Sequence, residues 1–333
     1  MKPHSPNSTP SPRVSVVLLS YNRPAYLREA LAALAVQSYQ DMEVTVVDNP
    51  SPASEEIAKI VRQYPRITFL QHKVNLGYTG GMNSGMMSVS GHYICLTEDD
   101  IVMDENCIQR FVEYMDDHPA TGLIAPIIYN KAARTIRWAG GRFELGGVYR
   151  MKIFGAGETD AGQFEDPFEV NFIDGATMFA RADLWKSLKG FHEDFFMYAE
   201  AVEFSIRVAL TGQKLEVVPQ AKVYHFEPPE RPTPPEIEFH KVKNFFALYL
   251  LHAPLGNLPE FVFRYAVLNT LRSALGRKGN TLLTLKALWW VLKKTPGLLR
   301  ERRKGVPQIN VLDSVATATG TLKNEQAPQA VNH

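Results

Sequence analysis

The first 115 residues alternate between short apolar runs and helical patterns, and this alternation most constrains the fold. The apolar runs have the length and β-branched content of buried strands, and they cover residues 14–19, 44–47, 67–70 and 93–96. Helical patterns follow them at residues 27–34, 55–63, 75–89 and 108–115. Such an alternation is typical of a mostly parallel central sheet that helices cover on both faces. The sequence therefore predicts an α/β, Rossmann-like fold.

The second half departs from this rhythm after about residue 126. Residues 138–163 are rich in glycine and aromatic residues, which predicts hairpins and long loops. We expect one strand over residues 170–180, and helices over residues 182–188 and 199–211.

These patterns divide the chain into four parts. Residues 13–235 form the predicted α/β domain, which ends in a segment with five prolines between residues 228 and 235. Residues 236–304 are predicted to form a basic amphipathic helical region. The leader (residues 1–12) and the tail (residues 305–333) lack apolar periodicity, and we expect both to be disordered.

Composition narrows the class of protein. Hydrophobic residues make up 45% of the chain and charged residues 21%, as in a folded domain, and the net charge of +1 argues against a nucleic-acid partner. The apolar runs are shorter than the ~20 residues that a membrane-spanning helix needs. With two cysteines only, the chain lacks a disulfide framework, which favours a reducing compartment and a cytoplasmic location.

Polar residues stand at the end of each predicted strand in the first half. Ser20, Tyr21 and Asn22 follow the first strand, Asp48 ends the second, and the acidic triplet at residues 98–100 ends the fourth. Because ligands of open α/β sheets bind beyond the carboxyl ends of the strands, these side chains predict one polar cleft. Two alternatives remain open: Asp48 as a turn residue, and the triplet as a solvated loop that opens a helix.

A glycine-rich segment, residues 75–85, precedes the fourth strand. Its Gly80 and Gly81 allow close backbone approach, and Asn75 and Asn83 add polar groups. A helix that starts behind such a loop attracts phosphate. The spacing does not fit the dinucleotide-binding motif, so this loop alone is weak evidence.

Several segments together carry a family resemblance, and they occur at residues 14–23, 46–49, 75–85, 96–101, 172–179, 190–198 and 223–225. In this order they resemble the inverting nucleotide-sugar glycosyltransferases of family 2, which have the GT-A fold. The resemblance covers about residues 13–250. The loop at Asn75 and the glycine-rich middle are most similar to the rhamnosyltransferase and galactofuranosyltransferase subgroup.

The resemblance implies a donor site and a metal. The donor would be a UDP- or dTDP-linked sugar, held by Asp48 at the base or ribose and by the other polar strand ends and the glycine-rich loop. Those remaining donor residues are Ser20, Tyr21, Asn22, Asn75, Gly80, Gly81, Asn83, Glu98 and Asp99. Asp100, with His225 and Glu98, would bind Mn²⁺ or Mg²⁺ at the diphosphate; the alternative for His225 is a strand-end histidine bonded to the backbone. Glu98 stands where the family usually has Asp, so its coordination is less direct.

The resemblance also implies a catalytic base, and here the chain departs from the family. Ala201 stands where the second acid of a Glu/Asp-Asp pair is expected, and alanine cannot accept a proton. Three explanations remain open: Glu200 or Glu203 serves as the base, Asp174 takes over, or the chain is a catalytically degenerate nucleotide-sugar binding protein.

The acceptor would be a glycan or a lipid-linked sugar in cell-surface polysaccharide synthesis. Trp138, Asp174 and Gly175 are the predicted acceptor residues, with packing as the alternative for Trp138. A nucleotidyltransferase would carry a basic glycine-rich loop after the first strand, which this chain lacks. The basic and aromatic helices at residues 236–304 are compatible with peripheral contact to the inner face of the plasma membrane, with internal packing, or with a homo-oligomer.

Overall fold

The computed structural model describes residues 13–146, 149–226, 234–268 and 281–305. The predicted leader, almost all of the predicted tail, and residues 228–233 of the proline-rich segment lie outside the described residues. The strands are β1 Val14–Ser20, β2 Met42–Asp48, β3 Ile67–Gln71, β4 Tyr93–Glu98, β5 Ile101–Met103, β6 Thr121–Asn130, β7 Ile136–Trp138, β8 Gly141–Leu145, β9 Tyr149–Ile153, β10 Phe168–Val170, β11 Thr177–Arg181 and β12 Lys214–His225.

The α-helices are α1 Pro24–Ala35, α2 Ser54–Val61, α3 Gly77–Met87, α4 Cys107–Asp117, α5 Ala182–Leu188, α6 Glu200–Leu210, α7 Pro235–His252, α8 Leu258–Phe261 and α9 Thr281–Gly305. Short 3₁₀ helices occupy Glu193–Phe195 and Leu255–Asn257, and a π-helix follows α8 at Val262–Leu268. The predicted helices and the first four predicted strands are thus present, with ends that differ by a few residues.

A large mixed sheet organises the described part of the chain. Its order is β10-β12-β6-β11-β4-β1-β2-β3, and β5 and β7 pair with β12 and β6 off this path. The half that contains β3, β2, β1 and β4 is parallel, as predicted, whereas β11 lies antiparallel between β4 and β6. The polar ends of β1, β2 and β4 therefore meet at one edge.

The predicted strand over residues 170–180 is wrong, because the chain turns in its middle. β10 ends at Val170 and β11 begins at Thr177. Between them the Asp174 carboxylate accepts a hydrogen bond from the backbone N–H of Ala176 (2.9 Å), which stabilises a turn in place of a ladder. This turn carries Asp174 and Gly175 to the cleft.

The core lies on both faces of the sheet, and glycine lets one helix approach closely. A Cβ on Gly85 of α3 would lie 2.3 Å from Cγ1 of Val17 on β1. Both cysteines, Cys95 on β4 and Cys107 at the start of α4, are unpaired and fully buried in this core. Burial raises the pKa of both thiols.

The C-terminal helices form a second apolar cluster. α7 supplies much of it, and Val291 and Leu298 of α9 pack there beside Val202 of α6. Within the described residues, no helix is both long enough and apolar enough to cross a bilayer.

Candidate active site

Asp99 ties the first strand to the acid-tipped strand. Its side chain is 2% exposed, and its Oδ2 accepts hydrogen bonds from Ser20 Oγ (3.0 Å) and from the backbone N–H of Tyr21 (2.9 Å). The guanidinium of Arg23 lies 3.4 Å from Oδ1 of Asp99 and also pairs with Asp100. Burial raises the pKa of Asp99 to about 7, against the opposing charge of Arg23. The predicted adjacency of these strand ends is confirmed.

Asp100 and His225 face each other across the paired strands β5 and β12. Nε2 of His225 lies 3.8 Å from Oδ1 of Asp100, and that oxygen is buried without a hydrogen-bond partner. Nδ1 of His225 contacts the carbonyl oxygen of Phe226 at 2.6 Å, so Nδ1 carries the proton and donates it. The Nε2 lone pair is then directed to the cleft side, as in an imidazole that ligates a cation.

The predicted three-ligand group is not formed. Among the residues that the structure describes, no three His, Cys, Asp or Glu side chains are arranged to hold a metal ion. Burial raises the pKa of Glu98 well above its usual range, and the negative charge of Asp100 raises it further, so Glu98 favours its proton. Of the three predicted ligands, the structure brings Asp100 and His225 within 3.8 Å of each other, and the role of Glu98 as a ligand stays a prediction.

Asp48 lies beside Ser20 in the register of β1 and β2. It is fully buried, and Nε2 of Gln71 donates to its Oδ2 at 3.0 Å, while Oδ1 has no partner. A buried carboxylate oxygen without a partner is costly unless a ligand supplies a donor. Tyr21 and Asn22 are exposed at the rim of the same cleft.

The glycines of the glycine-rich segment have a packing role in the structure, and their predicted contact with a donor stays a prediction. A Cβ on Gly81 would lie 2.5 Å from Cδ1 of Leu19, and one on Gly80 would lie 2.7 Å from Cβ of Leu76. These two glycines therefore serve close packing within and beneath α3.

Asn83 and Asn75 are likewise engaged within the protein. Asn83 donates to the carbonyl oxygen of Phe191 (2.9 Å) and accepts from its N–H (2.8 Å), so this side chain joins α3 to the segment before the 3₁₀ helix. The exposed Asn75 accepts a hydrogen bond from the N–H of Gly77 (2.8 Å) and fixes the turn into α3.

Glu200, the first residue of α6, has the environment of a proton acceptor. It is 8% exposed, and its Oε2 has no hydrogen-bond partner. Burial raises the pKa of Glu200 to about 7, and the negative charge of Asp174 also raises it. A carboxyl group with a pKa near the working pH is suited to general base catalysis. Glu200, Asp174 and Tyr78 lie in one neighbourhood, since Tyr78 Oη donates to the carbonyl oxygen of Gly175 (2.6 Å) and the charges of both acids act on the phenol.

Glu203, the other predicted base, is occupied by an ion pair. It is 1% exposed, lies 2.8 Å from Nη2 of Arg207, and contacts Nε2 of His252 at 3.0 Å. Burial alone would raise the pKa of Glu203, but the charge of Arg207 and the hydrogen bond from His252 outweigh burial and lower it to about 2. A carboxylate so weakly basic and so fully engaged cannot serve as the base, which corrects this prediction.

Trp138 is also a structural residue. Its side chain is 2% exposed and packs edge-to-face against Phe172, with ring centroids 6.3 Å apart. The alternative of packing, left open from the sequence, therefore accounts for Trp138, and we assign it no acceptor contact.

A strained loop leads into Glu200. Phe196, Tyr198 and Ala199 all have positive φ (62°, 70° and 63°), which is uncommon for residues other than glycine. The amide of Asn244 on α7 holds this loop, because it donates to the carbonyl oxygens of Phe195 (2.8 Å), Met197 (2.6 Å) and Tyr198 (2.6 Å). Strained backbone of this kind persists only where its surroundings fix it.

Comparison with known proteins identifies the family to which this chain belongs. The sequence profile described as glycosyl transferase family 2 matches residues 15–188, which is more than half of the chain. The chain belongs to glycosyl transferase family 2. An uncharacterized glycosyltransferase of Haemophilus influenzae is 27% identical over 209 residues, which cover 60% of this family 2 chain and 61% of that relative. The chain thus spans about three-fifths of that relative's length.

A second relative has a named activity. The N-acetylglucosaminyl-diphospho-decaprenol L-rhamnosyltransferase of Mycobacterium tuberculosis is 24% identical over 234 residues, which cover 63% of this chain and 75% of the relative. Among solved structures, GalNAc-T7 with UDP, GalNAc and Mn²⁺ superposes with a TM-score of 0.62 at 14% identity, covering 90% of this chain and 59% of that one. The likeness shows that this family 2 chain has the predicted GT-A fold.

Three residues of this family 2 site were not predicted. Arg23 is adjacent to the predicted Asn22, and as the basic residue that follows the first strand it was visible in the sequence. Tyr78 lies within the glycine-rich segment that was expected at the site, whereas Asn244 reaches the site from a position far along the chain. Nothing in local spacing indicates the hydrogen bonds of these two side chains, so only the fold identifies them.

Proposed function

We propose that this chain is a metal-dependent, inverting glycosyltransferase that transfers a sugar from a nucleoside diphosphate to an acceptor hydroxyl. The observation that carries the proposal is Glu200, a buried carboxyl group with a pKa near 7 and one oxygen without a partner. Family membership and the polar edge of the sheet support it.

In this proposal Glu200 is the general base, in place of the acid that the family resemblance implies at position 201. Oε2 of Glu200 accepts the proton of the acceptor hydroxyl as its oxygen forms a bond to the anomeric carbon. The bond between that carbon and the diphosphate oxygen breaks on the opposite face, so the configuration inverts. The nearby carbonyl oxygen of Gly175 is fixed by Tyr78, which orients the turn that carries Asp174.

Asp48 and the strand ends would hold the nucleotide. The unpartnered Oδ1 of Asp48 can accept a hydrogen bond from a ribose hydroxyl or a base N–H. Arg23 lies beside the acidic edge, where its positive charge can contact a diphosphate oxygen. Asp100 and His225 would hold Mn²⁺ or Mg²⁺, whose charge stabilises the departing diphosphate. The neighbouring structure that contains UDP and Mn²⁺ supports this choice.

The acceptor we propose is a sugar on a lipid carrier in cell-surface polysaccharide synthesis. The rhamnosyltransferase relative, named for a decaprenol-linked acceptor, supports this class and a deoxysugar donor. Asp174 and Gly175, at the turn that faces Glu200, are the residues we place at the acceptor side.

A second candidate is a binding protein without turnover, and Ala201 favours it. Ala201 is 8% exposed. A Cβ on Gly175 would lie 3.5 Å from the Cβ of Ala201, so Ala201 borders the proposed acceptor side. If Glu200 cannot replace the missing acid, the chain would bind a nucleotide sugar without releasing nucleoside diphosphate.

Release of nucleoside diphosphate from a panel of UDP- and dTDP-sugars with Mn²⁺ separates the two candidates. The transferase predicts release that Glu200→Gln lowers by about 100-fold or more, with donor affinity unchanged. The binding protein predicts saturable donor binding, no release from the native chain, and release from Ala201→Asp. Donor binding that is unchanged in both Asp48→Asn and Asp100→Asn would contradict the site itself.

A further inference from the structure

The outward face of α9 exposes a row of large apolar side chains that the proposed reaction does not use. Leu285, Trp289 and Leu292 are 50%, 59% and 72% exposed, and Leu282, which is 61% exposed, continues the row by one turn. Their spacing of three and four residues places them on one side of the helix. We call these four residues the apolar stripe.

The opposite side of α9 anchors the helix to the protein. Ala287, Val291 and Leu298 are buried against the second apolar cluster. Nζ of Lys294 lies 2.8 Å from Oδ1 of Asp194, and Nη1 of Arg302 donates to the carbonyl oxygen of Leu250 (3.2 Å). The helix is therefore docked on one side and presents the apolar stripe on the other.

Positive charge surrounds the stripe. Lys286, Lys293 and Arg300 are exposed on the same side, and Nζ of Lys293 lies 3.7 Å from the ring centroid of Trp289. Residues 281–305 contain seven lysines and arginines, whereas their one acidic residue, Glu301, contacts His192. Within residues 281–305, this face thus combines large apolar groups with cations, and the single carboxylate is engaged with His192.

We propose that this face binds an anionic lipid surface, with the apolar stripe in the headgroup region and the flanking cations on lipid phosphates. A helix with an exposed tryptophan and leucines beside lysines has the composition of an interfacial anchor.

The argument against a second copy of the chain as the partner of this face is electrostatic. A two-fold contact through the stripe would bring like charges from Lys286 and Lys293 of each copy together.

The position of α9 gives this surface a consequence for the site. Lys294, on the adjacent side of the helix, forms an ion pair with Asp194, which lies in the 3₁₀ helix two residues before the strained loop at Phe196–Ala199. A membrane-docked α9 would thus be linked directly to the loop that carries Glu200. The link between α9 and Glu200 rests on the proposed function, because it matters only if the acceptor has a lipid anchor. The binding of α9 to lipid does not depend on the proposed function.

Sedimentation of the full chain with vesicles tests the proposal. We expect binding to vesicles that contain phosphatidylglycerol, weaker binding to phosphatidylcholine alone, and release at high salt. Lys286→Gln and Lys293→Gln should each weaken binding about fivefold. Quenching by brominated lipid should be reduced in Trp289→Tyr, since Trp289 is the strongly exposed tryptophan among the described residues.

Leu285→Ser with Leu292→Ser should abolish sedimentation. The matched control is Met87→Ser, which removes an 88% exposed apolar side chain at the end of α3 and should leave binding unchanged. Circular dichroism of each variant checks the fold.

Three results would overturn the proposal: no sedimentation with anionic vesicles, equal sedimentation with and without anionic lipid, or a dimer in light scattering that the two serine changes dissolve. The last result would assign the stripe to a second copy. Because none of these measurements depends on sugar transfer, a failure here is distinct from a failure of the proposed function.

Discussion

At the scale of single residues, two acids on one turn of α6 have opposite environments. Glu200 is buried with one oxygen unpartnered, and its pKa is raised to about 7, whereas Glu203 is buried in an ion pair and its pKa is lowered to about 2. The difference follows from their partners, not from their burial. One carboxyl group is therefore available to gain a proton, and the other maintains the structure.

The pH dependence of turnover should report Glu200. Below a pH of about 7 its carboxyl group holds a proton and cannot accept another, so kcat should rise as pH increases through that value. A pH–rate profile with saturating donor measures this limb. A profile that stays flat between pH ~5 and ~8 would remove Glu200 as the base.

The same pKa has a consequence for stability. Because the folded state holds the proton of Glu200 more tightly than the unfolded state does, its contribution to stability is lost as pH rises from about 4.5 to about 7. Glu200→Gln should therefore be more stable than the native chain at pH ~8, by an amount on the order of 3 kcal/mol, and should lose this advantage at low pH. Urea unfolding at the two pH values provides the comparison.

Removal of Glu203 should damage the fold instead. Glu203→Ala leaves Arg207 and His252 without their shared carboxylate, and we expect a loss of about 3–5 kcal/mol in the free energy of unfolding. Since the pKa of Glu203 is lowered, the contribution of this pair is present above pH ~4.5 and is lost as pH falls toward about 2. Glu55→Ala is the control, because Glu55 forms an exposed pair with Lys59 at the same helical spacing. Equal effects of the two changes in denaturant unfolding would contradict this account.

Residue roles could be predicted from the sequence only where local order determines them. Asp48, Asp99 and Asp100 were expected at one edge because they end strands that a parallel sheet must bring together, and the strand pairing confirms this adjacency. The engagement of Glu203 and Asn83 within the protein was not foreseen, because their partners, His252 and Phe191, lie 49 and 108 positions away. No spacing rule indicates that such a polar side chain is already engaged.

At the scale of elements, the loop between the 3₁₀ helix at Glu193–Phe195 and α6 shows how a later helix positions an earlier one. Asn244 is fully buried, and its two amide N–H groups are shared among three carbonyl oxygens of the loop. Beside it, Lys243 donates to the carbonyl oxygen of Asp194 (2.5 Å) and to Oδ1 of Asn244 (2.6 Å). α7 thus fixes the loop that leads into Glu200.

Asn244→Ala should lower kcat more than it changes the KM for the donor. Without the amide, the positive φ angles of Phe196, Tyr198 and Ala199 lose their support, and a shift of Glu200 by about 1 Å can cost up to about 100-fold in rate. Steady-state kinetics with varied donor measure this split. Asn257→Ala is the control, since that amide makes one longer bond, 3.4 Å to the carbonyl oxygen of Leu145. A change confined to donor KM would contradict a role in placing the base.

Strands and helices with strong periodicity were predicted well, whereas the turn at Asp174 was not. The apolar residues on both sides of this turn, such as Val170 and Ala180, read as one continuous strand. Only the side-chain hydrogen bond to Ala176 and the pairing of β11 with β4 and β6 separate the two strands. Hydrophobic pattern alone does not distinguish a long strand from two short ones that meet at a turn.

At the scale of the whole molecule, the average charge conceals an uneven distribution. The net charge of +1 argues against attraction of nucleic acid to the whole surface, yet acids concentrate at the edge of the sheet and lysines and arginines concentrate on α9. The fold class could be predicted because the strand–helix order allows few arrangements. The placement of α9 could not, since it depends on contacts such as Lys294 with Asp194 that join distant parts of the chain.

The reactivity of the two buried cysteines reports on unfolding of the structure around them. Cys95 lies on the strand that ends in the acidic triplet, and a buried, protonated thiol reacts with alkylating reagents only after the structure around it separates. The rate of alkylation in native buffer therefore measures the population of molecules in which the centre of the sheet is open. A nucleotide sugar that binds the folded state alone should slow this rate by the factor 1 + [L]/Kd, so that donor affinity can be read from thiol chemistry without any turnover.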